Sequence, residues 1–334
     1  MDLPVKPVVP RSLTRFSSSL VLLALAFAGV SIRLPAQENP CLTRTVPVTV
    51  TTNDYRVISG LTPANFRGRY RGKPVEIVSV KYDTGPRRIV ILLDASGSMR
   101  DEWNAEIAAA QNLVWQAPAK DSFAVLTFSE GKSYTRIGFG LDSKGLANGL
   151  GRLAGVGQPL GKTALLDALL EAVNMLRPMR MGDALFLISD AGDNASRSDP
   201  SQSKSVLLSS GVRLFALIMG KDLPYRERTP EEVAGPGGLR DLIKAVGGDG
   251  LAFESPEPFP RVPPYDHVVT VQDRKNMASA AVALGREISE FYVVEVKLPE
   301  AVDKERDWQL EVVGDIPEKH HLRVVYPHRL APCQ

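Results

Sequence analysis

The sequence predicts an α/β protein: a doubly wound, mostly parallel sheet flanked by helices, with a small β-module formed by the N- and C-terminal flanks. Three observations predict it. Between residues 88 and 255, continuous apolar runs alternate with segments of helical period. Strands buried on both faces lose polar alternation, and the intervening helices cover those faces. Residues 45–82 and 290–330 instead carry β patterning without a helical period. The chain has 334 residues, 44% hydrophobic and 23% charged, enough for one large domain or two modest ones.

Residues 1–36 read as an export signal. Lys6, Arg11 and Arg15 precede an apolar run of 14 residues, Ser19 to Ile32, and Ala36 offers a cleavage position. A membrane span needs about 20 apolar residues. A cleavable signal is therefore the first reading, and membrane attachment is expected only if the signal stays uncleaved. Its removal changes the balance from 40 basic and 38 acidic residues to 36 and 37. The basicity belongs to the signal, and no broad positive field for a nucleic acid remains.

The N-terminal β segment, 41–85, holds the alternating run Val46–Thr52, then "YRVISGL", then two strands with Arg71-Gly72-Lys73-Pro74 as turn chemistry between them. The α/β region spans 86–255. Arg88–Asp94 is an apolar strand, followed by a helix over Asp101–Gln116 with Trp103, Ile107, Ala110 and Val114 on one face. Ser122–Phe128 is the next strand and Ser133–Phe139 a short edge strand. A second helix shows the stripe Leu166, Leu169, Val173 and Leu176 and stops at Pro178. Ala184–Asp190 and Val212–Met219 are buried strands, 237–250 is a short helix ended by glycines, and Leu251–Ser255 is a last strand. Residues 256–289 are a proline-rich linker and a helix from about Val271 to Ser289. Residues 290–330 form the C-terminal β segment, expected to pack with 41–85.

Only two cysteines exist, Cys41 and Cys333, near the two ends of the mature chain. They are either one bridge joining the termini in an oxidising compartment or two unrelated thiols. Two cysteines cannot make a structural zinc site of about four ligands. The four histidines, His267, His320, His321 and His328, show no ligand spacing.

In doubly wound sheets, ligands bind beyond the carboxyl ends of the strands. Asp94 and Asp190 end two of these strands, and Thr163 opens a helix. With Ser96 and Ser98 they make two carboxylates and three hydroxyls, without nitrogen or sulfur. An all-oxygen set selects a hard divalent cation, Mg²⁺ first, with Mn²⁺ or Ca²⁺ as alternatives. Neutral hydroxyls leave such an ion with residual charge and a place for a partner's carboxylate. The plainer reading makes Asp94 and Ser98 helix caps, but capping does not need the distant Thr163 and Asp190.

Other chemistries are disfavoured. Gly161-Lys162-Thr163 suggests a phosphate loop, but the required earlier glycine is Val156, so no nucleotide is expected. No Gly-x-Ser-x-Gly elbow surrounds Ser96, and no histidine lies within the α/β region to act as a base. The chain is therefore not expected to be an enzyme.

"DASGSM" (94–99) resembles the Asp-x-Ser-x-Ser signature of von Willebrand factor type A (VWA) domains. "GKTALLDAL" (161–169) resembles the family's threonine segment, and "LISDAGDN" (187–194) its aspartate segment. The three occur in family order with similar spacing, and the resemblance covers roughly 86–255. "VTTNDYRVISGLTPANF" (50–66) and "SDAGDNASR" (189–197) resemble a bacterial group of secreted VWFA-related proteins, best known from acidobacteria. The resemblance implies a metal ion-dependent adhesion site. Ser96 and Ser98 would be direct ligands; Thr163, Asp94 and Asp190 would bind directly or through water. It implies an exported interaction module gripping an acidic group of a protein partner; the alternative is an envelope scaffold with a stabilising or vestigial metal site. Two residues depart from the pattern. Ala191 stands where Gly is usual, and Lys162 where a small residue is common. Lys162 either weakens ion binding or attracts an acidic partner. Asp193 reads as a turn or rim residue, and Asp167 as a partner of loop backbone.

Overall fold

The computed structural model describes residues 41–155, 159–220, 229–253, 276–316 and 321–333. The signal-like segment and the proline-rich connector (256–275) lie outside these residues.

The chain enters as β1 (Thr43–Thr52), then β2 (Phe66–Tyr70) and β3 (Lys73–Asp83). β2 and β3 form a hairpin whose two turn residues, Arg71 and Gly72, have φ of 52° and 77°. That is the twist-matched turn short hairpins favour. "YRVISGL" is not a strand: it makes one bridge, Thr51 to Val57, and is otherwise held by a side chain. The Tyr292 hydroxyl accepts from Leu61 N (3.0 Å) and donates to the Ile58 carbonyl (2.8 Å).

The α/β region follows as β4 (Arg88–Asp94), α1 (Trp103–Gln116), β5 (Ser122–Ser129), β6 (Lys132–Ile137), α2 (Ser143–Ala154), α3 (Leu165–Met175), β7 (Ala184–Ser189), α4 (Pro200–Ser210), β8 (Arg213–Met219), α5 (Pro230–Val246) and β9 (Gly250–Phe253). Its sheet order is β6-β5-β4-β7-β8-β9. β4, β5, β7, β8 and β9 are parallel, and the edge strand β6 is antiparallel. Val90, Ile91, Leu92 and Leu93 of central β4 are fully buried. Side chains of this size each contribute about 1.5–3 kcal/mol when removed from water. Ile91 and Leu93 pack with α1, α2 and the later helix α6 (Met277–Ser289) on one face. Val90 and Leu92 pack with α3, α4 and α5 on the other.

The chain ends in β10 (Phe291–Lys297), β11 (Arg306–Val312), β12 (Leu322–Val325) and β13 (Arg329–Leu330). These join the first three strands in one antiparallel sheet, β12-β1-β10-β3-β2-β11-β13. The fold is thus α/β with the parallel pairing confined to the six-stranded sheet, and the β-module, at seven strands, is not small. Cys41 and Cys333 are bridged, with Cα atoms 5.4 Å apart, closing the ends of that module.

Buried arginines join the two sheets. Arg213 donates to the carbonyls of Glu287 (3.0 Å) and Ile288 (2.7 Å), and Arg87 to that of Ser289 (3.1 Å). These are last-turn carbonyls of α6, which lack intrahelical partners. The guanidinium groups of Arg213 and Arg87 both lie over the Phe291 ring at the start of β10, 4.1 and 4.2 Å from its centroid. Arg323 of β12 binds Glu287 of α6 (3.0 Å) and Asp249, and covers the Tyr55 ring.

Candidate metal centre

β4 and β7 run side by side in parallel, with Leu93 opposite Ile188. Asp94 therefore ends β4 beside Ser189, and Asp190 follows one residue beyond. Asp94 is fully buried, and Asp190 is 4% exposed. The Asp94 carboxylate accepts from Ser96 N through Oδ1 (3.0 Å) and from the Ser189 hydroxyl through Oδ2 (2.6 Å). Burial and the adjacent Asp190 charge push Asp94 up to about 7, against hydrogen bonds from Ser189 and Ser96 that lower it.

Ser96 and Ser98 do not cap α1. Ser96 precedes and Ser98 lies within a single 3-10 turn (Gly97–Met99), while α1 starts at Trp103 with Glu102 at its N-cap. Their hydroxyls are 3.0 Å apart instead. Ser96 is buried and Ser98 exposed, so this pair leads from the carboxylates to the surface. The threonine segment is tied to the first by backbone. Leu160 N donates to the Ala95 carbonyl and Gly97 N to the Gly161 carbonyl, both at 3.0 Å. Thr163, 4% exposed, donates its N–H to Asn194 Oδ1 (2.9 Å) and accepts at its carbonyl from Asn194 and Ala195. The five predicted oxygen donors thus come from three loops at one end of the parallel sheet, linked by main-chain hydrogen bonds.

The neighbouring acids have structural partners. Asp193 accepts from Leu166 N (3.0 Å), at the start of α3, and from Ser196 N (3.1 Å). Asp167 accepts from Arg197 N and Ser198 N, both at 3.0 Å. The Lys162 side chain is exposed, and its charge acts on Glu231 at the start of α5.

Ala191 has φ of 64°, the left-handed region that disfavours a Cβ. Its carbonyl lies so close to α5 that a Cβ on Gly235 would meet it at 2.1 Å. An L-residue in this conformation costs about 1–2 kcal/mol, and glycine's extra unfolded-state freedom returns part of that. Ala191→Gly should raise the stability by about 0.5–1 kcal/mol. A lower urea midpoint would instead show that packing of the buried Ala191 methyl outweighs the strain.

Helical spacing misses one acid. Glu106 lies on the buried arc of α1 between Trp103, Ile107 and Ala110, is fully buried, and neither carboxylate oxygen has a hydrogen-bond partner among the described residues. Burial, then the charges of Asp94, Asp190 and Glu102, hold it well above the ordinary carboxylate range. A favourable helix-start dipole is worth about 0.3–2 kcal/mol, less than the several kcal/mol an unpaired buried charge costs. The signal was present in the sequence as a charged residue on an otherwise apolar helical arc.

Among the described residues, no group of three or more His, Cys, Asp or Glu side chains is arranged to hold an ion. The candidate set has two carboxylates, so any ion there depends on the hydroxyls. The donors fit a hard cation: two buried acids end adjacent parallel strands, and the Ser96–Ser98 pair supplies neutral oxygens beside Asp94. A cleft of about 980 Å³ between α3, α5 and β11 reaches Ala191 and Asp193 but is lined by none of the five donors.

A von Willebrand factor type A domain model matches residues 89–193. The chain contains a VWA domain there, on a VWA-like α/β fold; such domains generally serve as protein-interaction modules. Curated proteins give no match. Similar solved structures include proximal thread matrix protein 1 from the mussel byssus, at 16% identity and TM-score 0.45 over 65% of this chain and 50% of that one. The chain thus spans half the length of the mussel protein. BatB, a conserved hypothetical protein from Bacteroides thetaiotaomicron, aligns at 17% identity and TM-score 0.43, over 60% and 97% of the two chains. A von Willebrand factor type A structure from Catenulispora acidiphila aligns at 13% identity and TM-score 0.46, over 86% and 73%.

In the metal-free protein a raised Asp94 holds a proton that the unfolded chain has already lost. Between the ordinary carboxylate range and about pH 7, stability should therefore fall as pH rises, by up to about 1.4 kcal/mol per pH unit for one proton. Glu106 and Glu287, the latter pushed up to about 8, act with the same sign. Urea unfolding in EDTA at pH 5, 6, 7 and 8 measures this. A midpoint that rises steadily with pH would contradict it.

Proposed function

We propose that this chain is an exported, non-enzymatic interaction module that binds an acidic group of a protein partner through a divalent cation, Mg²⁺ or a relative. The observation that carries this reading is the pair of buried carboxylates, Asp94 and Asp190, with the Ser96–Ser98 hydroxyls beside them, at the rim of a VWA domain. Asp94 and Asp190 would balance the ion's charge, Ser96, Ser98 and Thr163 would hold it through neutral oxygens, and Ser189 would orient Asp94. When bound, the ion supplies a Lewis-acidic position for a partner's carboxylate. The signal-like N-terminus and the Cys41–Cys333 bridge support export to an oxidising compartment. Among the described residues no helix is long and apolar enough to cross a membrane.

The test is thermal unfolding with Mg²⁺ or Mn²⁺ against EDTA. The wild type should gain stability in metal, and Asp94→Ala should gain none. An absence of metal-dependent stabilisation in both proteins refutes the metal reading.

One observation favours the alternative, a scaffold whose ion only stabilises: of the five donors, only Ser98 is exposed. That reading predicts metal binding without metal-dependent capture of a partner.

A further inference from the structure

We propose that Glu106 belongs to the metal centre as a positioning and charge-setting residue behind the five oxygen donors, where it strengthens the hold on a divalent cation without coordinating it. The inference rests on the metal reading above and names a residue outside the motif that suggests it.

Three observations carry it. Glu106 is fully buried, and both its oxygens lack a hydrogen-bond partner among the described residues. Other buried carboxylates have such partners: Glu287 binds Arg323, Asp183 binds Arg88, and Asp249 binds Arg323. Glu106 lies in the first turn of α1, and its neighbours Trp103 and Ile107 share one core with Leu93 and Met99, which border the loop carrying Asp94, Ser96 and Ser98; the charges of Asp94 and Asp190 act on it there. Helix packing does not require it either. Its neighbours on the arc, Trp103, Ile107 and Ala110, are apolar core residues, and an apolar side chain would suit the position better. An acid kept in such a place costs the metal-free protein stability, as a buried proton-holding group without a hydrogen-bond partner, and positive charge in the site favours its ionised form. No triad of acids is arranged to hold an ion, so the role falls to charge and orientation rather than ligation. Groups that support metal ligands from behind typically change affinity about 10- to 100-fold when removed.

The test uses the mature chain and three variants, Glu106→Gln, Glu106→Met and Asp94→Ala, titrated with Mn²⁺. Free ion is followed by its electron paramagnetic resonance signal, and unfolding is measured separately in EDTA. Glu106→Gln should bind Mn²⁺ about 10- to 100-fold more weakly than wild type, and Glu106→Met should unfold at a higher temperature than wild type in EDTA. That combination, weaker binding with a more stable metal-free fold, is one that a packing role does not produce. Wild-type affinity in Glu106→Gln, or a lower unfolding temperature for Glu106→Met in EDTA, would overturn the inference while leaving the metal reading intact. No Mn²⁺ binding by the wild type would overturn both.

Discussion

Replacing Cys41 and Cys333 by serine should lower the unfolding free energy by about 4 kcal/mol, within the 2–5 kcal/mol typical of native bridges. The bridge links residues 292 apart, so it closes residues 41–333 into one loop. In the chain-entropy description its stabilisation grows with loop length because the unfolded ensemble loses the most freedom. The folded ends are also positioned without it. Leu298 N donates to the Leu42 carbonyl (2.8 Å) and Cys333 N to the Val302 carbonyl (3.0 Å). The double variant should therefore keep its fold and lose stability. Guanidinium unfolding of the oxidised chain, the reduced chain and the double variant checks this; coincident midpoints would contradict it.

Arg213→Met should cost about 3 kcal/mol, the scale of a broken buried charge network. Arg213 is 1% exposed and donates to two buried carbonyls at the end of α6, that of Glu287, which also accepts from the Thr49 hydroxyl, and that of Ile288. Methionine fills similar volume but donates nothing, so the loss is of hydrogen bonds rather than packing. Burial and the nearby Arg87 charge push Arg213 down to about 9, evidence that holding this cation is itself costly. Removing it returns part of that cost, which is why about 3 kcal/mol is expected rather than more. Because α6 runs directly into β10, the damage should spread to the β-module. Hydrogen exchange should rise in both α6 and β10; a rise confined to α6 would contradict the shared seam.

The strands of the parallel sheet were legible because burial on both faces leaves continuous apolar runs such as "RIVILLD" and "ALFLIS". Several helices were not. α2 carries Gly145, Gly149 and Gly151, which mask the helical spacing of Leu146 and Leu150, although Asp142 caps it. α4 buries only Ser203 and Leu207, so its period is weak, though Asp199, Pro200 and Gly211 mark its ends. α5 continues through Pro236, where sequence rules place a break. In the site, the Asp-x-Ser-x-Ser motif located Asp94, Ser96 and Ser98, but it said nothing of Ser189 or Glu106. Ser189 reads only as the end of a strand, and its bond to Asp94 depends on the β4–β7 register. Lys162 could not be placed from its neighbours in sequence, because its exposure depends on where the start of α5 comes to lie.

The most direct measurement of the central claim is affinity capture from cell-envelope extract on the immobilised mature chain, run in Mg²⁺ and in EDTA, with Asp94→Ala beside it. A protein retained by the wild type in Mg²⁺, and lost both in EDTA and in the variant, is the predicted result. Equal retention in all three conditions would contradict a metal-dependent grip and leave the site as a structural feature of the fold.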